Sequence, residues 1–253
     1  MAFPPERIIC LTEETVETLY LLGEENRIVG VSGYAVRPSR VRTEKPRVSA
    51  FTSANVSKIL ALEPDLVLTF SDLQAEIVAT LIREGVQVHA FNQRTIAGIL
   101  DMVRMVGGIV GKQEAAEQLA QQLAARFEKA KAEARNRPRR PRVYFEEWDG
   151  PMISGIGWVS EIVEAAGGID VFANLAREKS AKNRIVSTAQ VIEAAPDIII
   201  GSWCGKRFRP ERLCRREGFD SIPAVRRRAL HEVKSNISGV PMSHRGPAFS
   251  ALN

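Results

Sequence analysis

From Lys112 to Arg137 the chain reads KQEAAEQLAQQLAARFEKAKAEARNR, a stretch without Gly or Pro made mostly of strong helix formers. Gly111 precedes it and Pro138 stops it. Glu114 and Glu117 lie near its start, and Lys129, Lys131 and Arg135 near its end, the order a helix dipole favours. The stretch predicts one helix about 35–40 Å long. Its apolar stripe, Leu119, Leu123, Phe127 and Ala130, is narrow. A helix this long with so little to bury reads as a strut between two bodies. The plainer alternative is a surface helix of a single domain.

The two flanks favour the strut, because they repeat the same order of elements. The run RIICL ends at the acidic pair Glu13–Glu14, and RVYFE ends at Glu146–Glu147. Each leads into a helical segment, ETVETLYLLG in the first flank and WVSEIVEAAGG in the second. KILALEPDLVLTF (Lys58 to Phe70) and QVIEAAPDIIIGSW (Gln190 to Trp203) then share a helix end, Pro-Asp and an apolar strand. The spans from Arg7 to Pro64 and from Arg142 to Pro196 are nearly equal. Duplicated order and spacing predict two similar lobes. Strands apolar on both faces, alternating with helices, predict an α/β fold with parallel sheets. The expected division is a lobe at residues 1–110, the helix at 111–137 and a second lobe at 138–253.

Composition removes several function classes. With 253 residues, 45% hydrophobic and 26% charged, two ordinary domains fit. No run approaches the roughly 18 apolar residues of a membrane span, so membrane insertion is not expected. The net charge of +5 comes with basic clusters at Arg135–Arg142 and Arg207–Arg228. Neither carries a nucleic-acid fold signature, and the first reads as a solvated linker, so nucleic acid is not an expected partner. His89, His231 and His244 are scattered and Cys204 and Cys214 have no metal-ligand spacing, so no metal site is expected. Free thiols are expected, with Cys10 a small buried hydrophobe.

In open α/β sheets ligands lie beyond the carboxyl ends of the strands, so the residues that follow strands are the candidates. Glu13 and Glu14 stand at such an end, where Thr12 by type would cap the next helix; a first-turn role and a ligand contact are both open. Tyr34 follows IVGVS, and Phe51 follows a short strand in a polar loop. Ser71–Asp72 is a helix cap by residue type. In the second flank Trp148 follows RVYFE, Trp203 follows DIIIGS, and Trp158 opens a helix after the loop MISGIG. These indoles suit an aromatic wall for a bulky ligand, with Glu146 and Glu147 beside it. Core packing is the competing reading, strongest for Trp158. Paired carboxylates also invite a glycosidase-like acid–base reading. No Ser-His-Asp set, GxGxxG or GxxxxGK[ST] accompanies them, so no catalytic residue is assigned.

Taken together, RIICLTEETVETLYLLGEENRIVGVSGYAV, ILALEPDLVL, the long helix and RVYFEEWDGPMISGIGWVSEIVEAAGG resemble the periplasmic substrate-binding proteins of ABC importers for cobalamin, iron-siderophores and haem. FEEWDGPMISGIGWV looks most like the cobalamin branch. The resemblance implies two Rossmann-like lobes joined by one backbone helix and no catalysis. It also implies a monomer that binds a corrinoid between the lobes, against the loops of Glu13, Tyr34, Phe51, Ser71, Trp148, Trp158 and Trp203. It implies ABC importer permease subunits as partners, docking on acidic residues for which Glu76, Glu211 and Glu217 are the candidates. A siderophore or haem is the rival ligand, with Tyr34 the candidate haem ligand; an acidic cleft argues against an anionic siderophore. Two further readings are a cytosolic corrinoid carrier or sensor and a carboxylate-based hydrolase. The family implies the periplasm, whereas Met-Ala-Phe-Pro-Pro running straight into a strand reads as cytoplasmic. From Ser235 on, SNISGVPMSHRGPAFSALN is Gly/Pro/Ser-rich where the family supplies a closing helix, so an irregular tail, native or frameshifted, is expected.

Overall fold

The computed structural model describes residues 3–203 and 206–234. The expected irregular tail and Cys204 lie outside the described residues. The chain separates into two compact units, residues 1–93 with 97–122, and 94–96 with 123 onward. The division thus falls inside the long helix rather than at its ends.

The first unit is a sheet of β1 (Ile8–Cys10), β2 (Ile28–Ser32), β3 (Arg47–Ser49), β4 (Leu66–Phe70) and β5 (Val88–Phe91). Its strand order is β3-β2-β1-β4-β5, and every pairing is parallel. Such a sheet must be covered on both faces. One cover is the cluster of Ile9, Leu11, Val48 and Val67 with Ile59, Ile77 and Leu81 from the helices Val56–Ala61 and Ala75–Arg83. Cys10 is a buried free thiol, and burial pushes its pKa up to about 12, so it stays protonated.

The second unit holds β6 (Arg142–Asp149), β7 (Met152–Ser154), β8 (Ile169–Asp170), β9 (Ile198–Gly201) and β10 (Leu230–Glu232). Their order is β10-β9-β6-β7, with β8 also paired to β6. One expectation changes here. The sequence reading ends the strand at Glu146 and leaves MISGIG as loop, but β6 continues to Asp149 and turns back at Gly150–Pro151 into β7, which pairs with it antiparallel. Trp148 is therefore inside a strand, beyond the register shift that lies between Glu146 and Trp148. A sheet otherwise parallel gains one antiparallel strand.

The repeat is built in matching chemistry. In the first unit the Asp65 carboxylate accepts from the amides of Glu6 (2.8 Å) and Arg7 (3.0 Å), while Arg7 Nε reaches the carbonyls of Leu62 and Glu63. In the second, Asp197 accepts from the Arg142 amide (3.0 Å), while Arg142 Nε reaches Ala194 O (2.9 Å). Each Pro-Asp follows a residue in the left-handed region, Glu63 (φ 45°) and Ala195 (φ 42°). That turn ends one helix and aims the Asp at backbone amides at the entry to the central strand, Glu6 and Arg7 just before β1 and Arg142 at the start of β6.

The spine helix runs Gln113–Ala134, slightly inside the expected bounds. Its most buried residues are Ala116, Ala120, Leu123 and Ala134, with Leu119, Phe127 and Ala130 half-buried. The expected stripe is thus displaced towards alanines in the first half. The cause is close packing on the preceding helix, Ile96–Ile109: a Cβ on Gly107 would collide with that of Ala116, so only small residues fit. Gly111, at φ +73°, makes the tight turn between the two helices.

Candidate functional site

The first unit brings Glu13, Glu14, Tyr34, Phe51 and Ser71 to the carboxyl end of one parallel sheet, following β1, β2, β3 and β4 respectively. Tyr34 is the most exposed of the named aromatics at 41%, and Phe51 is half-buried. Ser71 acts as the expected cap: its hydroxyl accepts from the Leu73 amide (3.3 Å) at the start of the short helix Asp72–Gln74. It does so with φ at +61°, a strained value for a residue with a side chain. Thr12 occupies the cap position before Glu13–Leu21 but makes no capping bond; its hydroxyl lies 3.3 Å from that of Thr15 instead.

Glu13, Glu14 and Glu17 sit on the first turns of that helix, and Arg37 pairs with Glu17 at 3.1 Å. Burial raises all three carboxyl pKa values above the ordinary range, Glu13 to about 8, with Glu14 adding to the Glu13 shift and Arg37 opposing it. A Glu13 that is protonated near neutrality offers a hydrogen-bond donor as well as an acceptor.

One organising residue escaped the sequence reading. Gln74 is fully buried, and its amide donates to Leu11 O (3.1 Å) and Phe51 O (2.9 Å) while its carbonyl accepts from Phe70 N (3.0 Å). It therefore ties together the loops that follow β1, β3 and β4. The only local signal is its place three residues after the Ser71 cap.

In the second unit two expectations are corrected. Trp203 is 1% exposed and packs in the core with Tyr144, Phe172, Phe208 and Phe219; it is not a cleft wall. Glu146 is fully buried too. Its carboxylate accepts from Tyr144 Oη (3.1 Å), Trp203 Nε1 (2.9 Å) and Arg216 (3.0 Å), so it is the hub of a buried network rather than a ligand contact. The reason is alternation along β6: Tyr144 and Glu146 share a face, and that face is the core. Glu147 is likewise engaged, by the buried Arg184 at 2.7 Å. Neither carboxylate is left in position for acid–base work, which removes the basis of the hydrolase reading.

Trp148 and Trp158 remain half-exposed. Trp158, second residue of the helix Gly157–Ala165, lies against the cluster of Val143, Phe145 and Ile200. The Trp148 indole donates to Gly150 O (2.9 Å), and Lys206 Nζ stands 3.7 Å from its ring centroid. Asp149, next in the chain, pairs with Lys206 (3.0 Å) and Arg212 (3.4 Å). Glu76, Glu211 and Glu217 are all exposed. Among the described residues no three His, Cys, Asp or Glu side chains converge as a metal site, and no helix is long and apolar enough to cross a membrane.

Residues 8–237 match the family model described as periplasmic binding protein. A cobalamin-binding protein of Halobacterium salinarum is 26% identical over 199 residues, covering 78% of this chain and 53% of that protein. A vitamin B12-binding protein of Vibrio cholerae is 27% identical over 204 residues, covering 79% of this chain and 71% of its own. The chain thus spans about half the length of the halobacterial relative. Among solved structures, the periplasmic heme-binding protein RhuT from Roseiflexus superposes with a TM-score of 0.79 at 23% identity, over 98% of this chain and 95% of that one, a likeness of fold. With two α/β units, a shared spine helix and a family match through nearly all of it, the chain belongs to the periplasmic binding protein family.

Proposed function

We propose that this chain is a solute-capturing component of an ABC importer, not an enzyme, and that its solute is cobalamin or a related corrinoid. The supporting observation is that relatives named for cobalamin and vitamin B12 align over nearly four-fifths of the chain. The loops at the strand ends suit such a ligand. In the first unit the exposed Tyr34 and half-buried Phe51 offer flat apolar surface, and a protonated Glu13 and the Ser71 loop offer polar groups suited to the amides of a corrin. In the second unit, taken by itself, the half-exposed Trp148 and Trp158 offer flat surface. On this reading Glu76, Glu211 and Glu217 are the candidates for docking to permease subunits, and the protein works in the periplasm. The test is a titration with cyanocobalamin by equilibrium dialysis, with tryptophan emission followed in parallel. Saturable binding with quenching that weakens in Trp148→Phe is expected. No binding at tens of micromolar ligand, roughly −6 kcal/mol, refutes the corrinoid assignment.

A haem ligand is the second reading, favoured by the exposed Tyr34 phenol after β2. A haemin Soret shift that disappears in Tyr34→Phe, without cobalamin binding, would select it.

A further inference from the structure

The three acids of β6 do not make an acidic surface, because each is already matched. Glu146 is held by Arg216, and Glu147 by Arg184. Asp149 has a side chain only 6% exposed and faces two cations, Lys206 and Arg212, whose side chains are 44% and 58% exposed. One carboxylate between two cations leaves a net positive charge beside Trp148, the only half-exposed indole on β6. Lys206 lies over the Trp148 ring itself, so the flat surface and the spare charge are adjacent. The segment that carries these two cations, residues 206–217, sets exposed Arg207, Arg209 and Arg215 against exposed Glu211 and Glu217, so its cations outnumber its acids.

From this geometry we infer that the Trp148 loop is a subsite for an anionic arm borne next to a flat ring, with Lys206 and Arg212 as its specificity-determining residues and Asp149 as the post that positions them. This rests on the solute-capture reading and reverses the expectation of an acidic binding surface. The ligand class it selects is a macrocycle with a pendant phosphate or carboxylate. An uncharged macrocycle leaves both cations facing only Asp149.

The experiment has a ligand-free arm and a ligand arm. In the first, quenching of the Trp148 emission, taken as the difference from Trp148→Phe, is measured with iodide and with neutral acrylamide. A unit charge about 6 Å away in water concentrates iodide around two- to threefold at low salt. Lys206→Gln/Arg212→Gln should lower the iodide-to-acrylamide ratio by at least that factor, Lys206→Arg should keep it, and an unchanged ratio overturns the inference. In the second arm, cyanocobalamin is compared with dicyanocobinamide, which lacks the phosphodiester arm. The wild type should prefer cyanocobalamin, and the double variant should lose that preference while still binding the cobinamide. Equal binding of both corrinoids by the wild type overturns the inference and leaves solute capture standing. Binding of neither overturns the corrinoid reading, and the iodide ratio then decides the subsite alone.

Discussion

Replacing Arg216 by Met tests the buried network at its most vulnerable point. Glu146 has no exposed surface, and with Arg216 removed its carboxylate keeps, among the described residues, Tyr144 Oη at 3.1 Å and Trp203 Nε1 at 2.9 Å. Two neutral donors do not balance a charge taken out of water. Breaking a buried ion pair on one side costs about 3–5 kcal/mol; in a chain of this size that lowers the melting temperature by about 10 °C. The double variant Glu146→Gln/Arg216→Met removes the charge as well as its partner and should regain at least about 2 kcal/mol of the loss, a coupling typical of residues in direct contact. Urea unfolding followed by far-ultraviolet circular dichroism gives the stability, and the near-ultraviolet band reports Trp203, whose indole donates to the same carboxylate. A single variant that loses under about 1 kcal/mol, or a double variant whose loss is the sum of the two singles, refutes the hub. If Glu146 served the ligand instead, its substitution would lower affinity and leave stability untouched.

Three further outcomes follow from the same physics. Burial alone would raise the Asp197 carboxyl pKa, but the Arg142 amide and Arg139 hold it below its ordinary value. Its stabilisation is present above the unfolded pKa near 4 and is lost as pH falls through the lower folded value. Asp197→Asn should therefore cost about 1–2 kcal/mol at pH 7, with the gap closing on acidification below pH 4; a gap constant down to pH 2 contradicts this. For Glu13 the sign is opposite. The folded chain holds a proton up to about pH 8 that the unfolded chain releases near 4.5, so the wild type loses stability as pH rises between those values. Glu13→Gln should gain on the order of 2 kcal/mol or more at pH 9 and little at pH 4.5, and parallel stability–pH curves would rule that out. Gln74→Glu keeps the shape but sets a carboxylate against the carbonyls of Leu11 and Phe51. It should cost about 2–3 kcal/mol and weaken ligand binding, and wild-type melting would show that the amide does not tie those loops.

Where the chain advertises backbone geometry, the sequence was readable. The spine helix, the Pro-Asp strands and the duplication are all marked by Gly and Pro punctuation and by continuous apolar runs. The placement of Glu13, Tyr34, Phe51 and Ser71 after β1 to β4 was legible because each follows a short strand. Burial was less legible. Arg216 meets Glu146 from 70 positions away, and Trp203 meets it from 57, so no local pattern shows either pairing. Without its partner Glu146 reads as an exposed acid, and Arg216 reads as one more cation in the basic cluster Arg207–Arg228. Strand alternation held the missing signal: Tyr144 inward implies Glu146 inward. β7 was hidden for a different reason, since three residues between Gly150–Pro151 and Gly155 look like loop until they pair with β6.

The two copies of the fold hang their working loops on different hardware. In the first, a neutral amide gathers the backbone after three strands, and Tyr34 and Phe51 bear no charge that another residue depends on. In the second, the stretch that follows β9 is bolted by Arg216 to a carboxylate in the core. Retuning this scaffold for a new cargo should therefore begin at positions 34 and 51, where variants can be sampled without disturbing the foundation. Randomising the segment around position 216 would select first for whatever still folds.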